Sequence, residues 1–123
     1  LPGIVIAIMK PKTEVFVLDS VGKKCRFMQV VKSELALENL IVVNSRVESF
    51  KPKESFSQIA SRAFAEASKT IQLTKHLVEE NGRYLLMKGS NVDEEDIDNL
   101  KVKVHSITVP FVSDKRSLLE IQL

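Results

Sequence analysis

KVKVHSITVPFVSDKRSLLEIQL, residues 101–123, is the stretch that decides the fold class. Val102–Val109 and Leu118–Leu123 have the make-up of strands, and the polar turn Ser113-Asp114-Lys115-Arg116 between them is of hairpin length. Two strands joined so closely run antiparallel, because a parallel pair needs a crossover of about a dozen residues or more.

Upstream, the pattern changes. Val15-Phe16-Val17-Leu18 is a β-branched and aromatic run that stops at Asp19. Lys23–Leu37 has helical spacing, which predicts Phe27, Val30, Val31, Leu35 and Met28 on the inward face. Asn39 is predicted to break that helix, and Leu40-Ile41-Val42-Val43 reads as a second buried strand ending at Asn44-Ser45. Lys51-Pro52-Lys53 reads as a surface turn, and Phe56–Ala60 as a third, weaker strand. A helix from about Ala65 to Glu80, apolar at Ala67, Ile71, Leu73, Leu77 and Val78, is expected to stop at Asn81-Gly82. Tyr84–Met87 is the fourth strand, and acidic 93–98 begins a short helix or loop. Hydrophobic runs separated by helical stretches are the pattern of a parallel sheet with helices on both faces. A parallel sheet that finishes on an antiparallel hairpin is the outline of methyl-transferring α/β domains. A dinucleotide-binding dehydrogenase would continue parallel.

With 123 residues the chain is read as one domain, 1–123, large enough for a single core. Its 44% hydrophobic and 28% charged residues, with four Gly and four Pro, exclude disordered and collagenous classes. The single Cys25 cannot form an internal disulfide, and no Cys/His cluster has zinc-ligand spacing, so a secreted disulfide scaffold and a metal site are not expected. No apolar run approaches a membrane span, so a cytoplasmic, membrane-free protein is expected. Residues 1–62 carry ten Lys/Arg against six Asp/Glu, and residues 63–123 eight against ten. That slope is modest, and ordinary surface variation accounts for it.

In open α/β sheets small ligands bind beyond the carboxyl ends of the strands. Here Leu1-Pro2-Gly3 directly precedes an apolar helix from Ile4 to Met9, so the first strand and its glycine-rich turn are expected to be missing from this chain. Pro2 suits a first helical turn, and Gly3 permits close approach of backbone or ligand. Asp19 ends a strand about 16 positions after Gly3, near the ~20-residue spacing of nucleoside-binding folds. A carboxylate there can accept two hydrogen bonds from a ribose diol, or it can simply be a loop acid before Ser20.

VLDSVGKKCRFMQ (17–29), LENLIVVNSRVESF (37–50), SRAFA (61–65) and YLLMKG (84–89) stand in this order between LPGI and the closing hairpin. Together they resemble the bacterial small-subunit (16S) ribosomal RNA (guanine-N7)-methyltransferase G family, also called glucose-inhibited division protein B, along the whole of the chain. The resemblance implies a class I S-adenosylmethionine-dependent (Rossmann-like) methyltransferase fold. It also implies S-adenosyl-L-methionine as cofactor and small-subunit ribosomal RNA, or a 30S assembly intermediate, as partner. In that family LPGI follows a glycine-rich loop, so the domain is expected to be N-terminally truncated, and a monomer when full length.

Residue by residue, the resemblance places Leu1 at the edge of the cofactor pocket and Asp19 at the ribose hydroxyls. Val47 and Glu48 would read the adenine edge through their backbone, and Arg62 would be a further cofactor-side position. An arginine's fork of donors suits a carboxylate or phosphate, and a surface ion pair is the weaker alternative because Ile59-Ala60 should bury the strand that Arg62 ends. Lys23, Lys24 and Arg26 crowd a helix start, where cations oppose the macrodipole, which suggests a phosphate partner or a solvated basic face. Lys88 is assigned to RNA phosphate or guanine O6 rather than to proton transfer. Phe64 is a possible base-stacking ring, since the chain has one Tyr and no Trp.

No catalytic dyad emerges: His76, expected in a helix, and His105, in a late strand, read as structural or surface histidines, and Cys25 as a bystander thiol. Methyl transfer to guanine N7 needs no base, because that nitrogen has a free lone pair. The resemblance therefore implies in-line transfer by alignment alone. The alternative is a non-catalytic fragment or RNA-binding module without a complete cofactor site. A nicotinamide-dependent oxidoreductase fits Asp19 but not the hairpin. Without a central strand the isolated chain is expected to be marginally stable and prone to associate.

Overall fold

The structure, a computed structural model, describes residues 2–62, 66–88, 101–111, 113 and 116–123, which fall into two compact units, Leu1–Lys51 and Pro52–Leu123. Leu1, Phe64 and the acidic stretch 93–98 lie outside the described residues.

In the first unit, helix α1 (Pro2–Met9) leads to strand β1 (Val15–Asp19), helix α2 (Gly22–Glu34) and strand β2 (Leu40–Asn44). β1 and β2 are parallel, paired from Val15↔Leu40 to Asp19↔Asn44. Their core joins Ile4 and Ala7 of α1 to Val17, Cys25, Met28, Leu37 and Leu40. Gly3 settles how α1 meets β1: a Cβ there would run into Val17 Cγ1, so the space at Gly3 is taken by this chain's own strand. Asn39 ties the opposite end. Its Nδ2 donates to the carbonyls of Ala7, Lys10 and Thr13 at 3.0, 3.1 and 2.9 Å.

Two expectations about α2 are corrected. Phe27, Val30 and Leu35 do not face inward; they are 57%, 58% and 53% exposed, while Cys25 and Met28 are buried. The helix carries two apolar stripes, and polar bonds choose between them. Cys25 Sγ donates to the Asp19 carbonyl at 3.3 Å, and Lys32 Nζ donates to the Leu40 carbonyl, which turns the Cys25–Met28 stripe to the sheet. The helix also ends before Asn39, at a left-handed Ala36 with φ 51°. Leu37 N–H donates to Lys32 O and Ala36 N–H to Ser33 O, the paired bonds of a Schellman ending.

In the second unit, β3 (Phe56–Arg62), α3 (Ala67–Thr74), β4 (Val78–Lys88), β5 (Lys101–Ile107) and β6 (Arg116–Gln122) build a four-stranded sheet ordered β3-β4-β6-β5. β3 and β4 are parallel, whereas β6 is antiparallel to both β4 and β5, so the closing strands form the expected antiparallel pair. Alternation puts Tyr84, Leu86, Leu119 and Ile121 on one face, where they are buried with Ala67 of α3.

The boundary between α3 and β4 differs from the sequence reading. The helix stops at Thr74, and Asn81-Gly82 lies within β4 rather than capping a helix. Phe56 pairs with Val78 and Gln58 with Arg83, so residues 79–82 bulge opposite Ser57 alone. Gly82 is needed there because a Cβ would strike Val78 Cγ2. Thr70 and Thr74, outside the predicted apolar face, are buried because Thr74 Oγ1 bonds both the Thr70 carbonyl and the Tyr84 hydroxyl.

Candidate functional site

Asp19 is the last residue of β1 and is half-buried. Its Oδ1 accepts the Val21 N–H at 2.8 Å, a local bond that turns the chain from β1 into α2. A carboxylate offers about four acceptor positions, so Oδ2 is left to receive hydroxyl donors. The Asp19 carbonyl is tied down by Ser45 N at 3.1 Å and Cys25 Sγ at 3.3 Å. Across the register, the Asn44 amide lies 3.2 and 3.3 Å from the Asp19 and Ser20 carbonyls, and the amide orientation that satisfies both turns its nitrogen to donate to them. The loop-acid role and a further acceptor oxygen are thus combined in one side chain.

Val47 and Glu48 open a 3-10 turn, Val47–Ser49, three residues beyond the end of β2. The turn's bonds are donated by Ser49 to Arg46 O and by Phe50 to Val47 O, so it does not use the Val47 and Glu48 N–H groups. Phe50 returns to β1, its ring 6.4 Å from that of Phe16. Asp19, Val47 and Glu48 therefore share the carboxyl edge of the parallel pair. Carboxylate acceptor and backbone donors in that place fit a nucleoside: the acid suits a diol, and the backbone suits a base edge.

Arg62 belongs to the second unit, where it is exposed as the last residue of β3 and pairs with Met87 beside Lys88. Lys23, Lys24 and Arg26 are exposed in the first two turns of α2, whose N-cap Val21 makes no side-chain cap. Arg26 lines an open depression of about 470 Å³ with Gly22, Cys25, Gln29, Val30, Val42 and Asn44. Asp19, Val47 and Glu48 do not line it. His76 lies in the turn after α3, not in a helix, and His105 Nε2 is 3.2 Å from Glu120 Oε2 on an exposed strand. That bond, before the charge of Arg83, holds the Glu120 carboxyl below the usual carboxylate range. Among the described residues no group of three or more His, Cys, Asp or Glu is placed to hold a metal. No described helix is long and apolar enough to cross a membrane. Asn44 was not singled out from sequence; its position at the end of a strand equal in length to β1 is the signal that marks it.

Residues 1–119 match the family profile described as rRNA small subunit methyltransferase G. The chain is 50% identical over 119 residues to the ribosomal RNA small subunit methyltransferase G of Ruthia magnifica subsp. Calyptogena magnifica, covering 97% of this chain and 58% of that protein. The chain thus spans less than two thirds of the length of the curated relatives it matches. In fold it is similar to coclaurine N-methyltransferase bound to N-methylheliamine and S-adenosylhomocysteine, with a TM-score of 0.65 at 8% identity over 85% of this chain and 42% of that one. It is also similar to an rRNA methylase from Streptococcus thermophilus, with a TM-score of 0.61 at 13% identity over 89% of this chain and 74% of that one. The sheet with parallel strands and a closing antiparallel hairpin is that of class I methyltransferases.

Proposed function

The chain belongs to the rRNA small subunit methyltransferase G family, and on that premise we propose that it is part of an enzyme that methylates N7 of a guanine in small-subunit ribosomal RNA, using S-adenosyl-L-methionine. The observation that carries this reading is the carboxyl edge of β1–β2, where Asp19 closes β1 and the turn that begins at Val47 and Glu48 follows the end of β2.

When bound, the cofactor supplies an electrophilic methyl group. Asp19 would hold the ribose hydroxyls, fixed in direction by its Oδ1 bond to Val21. Val47 and Glu48 would read the adenine through the backbone, a contact that side-chain substitution leaves largely intact. Leu1 and Arg62 are proposed as cofactor-side positions on the family resemblance alone. Lys23, Lys24, Arg26 and Lys88 would meet RNA phosphates. No residue needs to take a proton, because guanine N7 attacks with a lone pair already free at neutral pH. Orientation can supply about 7 to 11 kcal/mol of the barrier. The substrate is ribosomal RNA or a 30S assembly intermediate, which places the work in the cytoplasm.

The test is calorimetric titration of the chain with S-adenosylhomocysteine beside Asp19→Asn, followed by methyl transfer to small-subunit ribosomal RNA. Aniline cleavage after reduction then reports N7 alkylation. Binding that Asp19→Asn abolishes, with cleavage at a guanine, is the expected result; binding indifferent to Asp19 removes the assignment of the edge.

A further inference from the structure

We propose that the face of the β4-β6-β5 sheet opposite Tyr84 and Leu119 is a second RNA-backbone surface, formed by Arg83, Lys101, Lys103 and Arg116 and tuned by Glu120. This rests on the ribosomal RNA reading above and adds to it a surface on different elements from the basic start of α2.

The sheet pairing carries the inference. Arg83 pairs with Gln122 and Gln122 with Lys101; Leu85 pairs with Glu120 and Glu120 with Lys103. Further along, Met87, Leu118 and His105 form a row, and Arg116 pairs with Ile107. Directly paired residues share a face, and alternation sends their neighbours Tyr84, Leu86, Leu119 and Ile121 to the buried one. Two contacts fix the assignment: Arg83 Nη1 lies 3.4 Å from Glu120 Oε1, and His105 Nε2 lies 3.2 Å from Glu120 Oε2. Arg83, Glu120 and His105 therefore project to the same side.

Four cations on this face meet one carboxylate at the paired positions of the described residues, although residues 63–123 as a whole are acidic. Lys101, Lys103 and Arg116 are exposed, while Leu85, Met87 and Leu118 provide an apolar floor for long cationic stems. Lys101 and Lys103, two residues apart on one strand, stand about 7 Å from each other, and Arg83 is two strands away at about 10 Å. A broad cationic sheet face with few stacking aromatics complements a phosphate backbone rather than individual bases. Glu120 opposes that complementarity while it holds Arg83 and His105 in place, so it sets the strength of the surface.

Filter binding of labelled small-subunit ribosomal RNA across a salt series tests the proposal on four chains: unaltered, Lys101→Gln with Lys103→Gln, Glu120→Gln, and Asp19→Asn. The double lysine variant should bind about tenfold more weakly at 0.1 M salt, and its salt slope should fall by about 1.4 to 1.8. Glu120→Gln should bind more tightly, an effect that structural damage would not produce. S-adenosylhomocysteine titration of the same variants should match the unaltered chain, except for Asp19→Asn. Unchanged RNA slopes with intact cofactor binding would overturn this surface and leave the methyltransferase reading standing. Absent cofactor binding in the unaltered chain would strike that reading instead. Competition by poly-L-glutamate equal to that by RNA would overturn the proposal in favour of an acidic protein partner.

Discussion

Tyr84 Oη lies 2.8 Å from Thr74 Oγ1, joining β4 to the last turn of α3 inside the core of the second unit. Thr74 in turn donates to the Thr70 carbonyl at 2.7 Å, so its oxygen accepts from the phenol. Cutting this relay from its two ends should not cost the same. Tyr84→Phe removes one hydrogen bond and keeps the ring, for about 0.5 to 1.5 kcal/mol. Thr74→Val leaves a fully buried phenol without its acceptor and should cost about 1 to 3 kcal/mol. Chemical denaturation midpoints of the two variants check the order.

The same tyrosine gives a pH prediction. Burial pushes its pKa above the ordinary 10.0, and the Thr74 hydroxyl, able to turn and donate to a phenolate, offsets only part of that. The folded chain therefore holds a proton that the unfolded chain loses first. The stability linked to Tyr84 is complete below the unfolded value and drains away as pH rises through the folded one. Because the chain has one Tyr and no Trp, absorbance at 295 nm follows this group alone. Its midpoint should lie above 10 in buffer and return to about 10 in denaturant. A native midpoint at or below 10 would show that the ring is solvated.

Which features the sequence disclosed follows from how local their causes are. The closing hairpin was legible because the length of a connection constrains strand direction directly, and the end of β1 at Asp19 because a run of β-branched and aromatic residues stops there. The face of α2 was not, since Cys25–Met28 and Phe27–Val30 are both apolar and the choice depends on carbonyls from β1 and β2. Asn81-Gly82 imitated a helix stop, but its glycine answers to Val78 within a bulge. Lys101 and Lys103 carried no signal of their own in the sequence. Only the register across three strands sets them beside Arg83 and Glu120.

Asn39 should be the most sensitive polar side chain of the first unit. One amide nitrogen meets three carbonyls that close the passage from α1 into β1, and the Asn39 carbonyl accepts the Val15 N–H at 2.8 Å. Asn39→Ala frees those carbonyls at once and should cost about 1 to 3 kcal/mol. Asn39→Asp should do no better, because a carboxylate cannot donate and would face acceptors. Hydrogen exchange at Val15 and Leu40 should accelerate in both variants, and unchanged protection there would refute the role.

Ala36 offers the opposite sign. At φ 51° it occupies the left-handed position of a Schellman ending, where a Cβ is unfavourable. Ala36→Gly should relieve more strain than it adds in unfolded-state entropy, a net gain of about 0.5 kcal/mol. The melting temperature of the chain should rise by a few degrees, and a fall would mean that the exposed methyl contributes packing after all.

Gly3→Ala sets helix propensity against packing, and the structure says which wins. Gly3 has no positive φ, so alanine suits its backbone and gains about 0.5 to 1 kcal/mol within a helix. The new Cβ, however, would press on Val17 Cγ1, and Val17 is buried against Ile4 and Ala7 with little room to turn. Overpacking of this kind costs about 1 to 3 kcal/mol, so Gly3→Ala should be destabilising overall. Val17→Ala removes the obstructing methyl groups and leaves a cavity. Combined with Gly3→Ala, it should lose less stability than the two separate changes predict together, because each relieves the defect the other creates. Additive losses in a double-mutant cycle would show that the helix start shifts away from β1 instead of clashing with it.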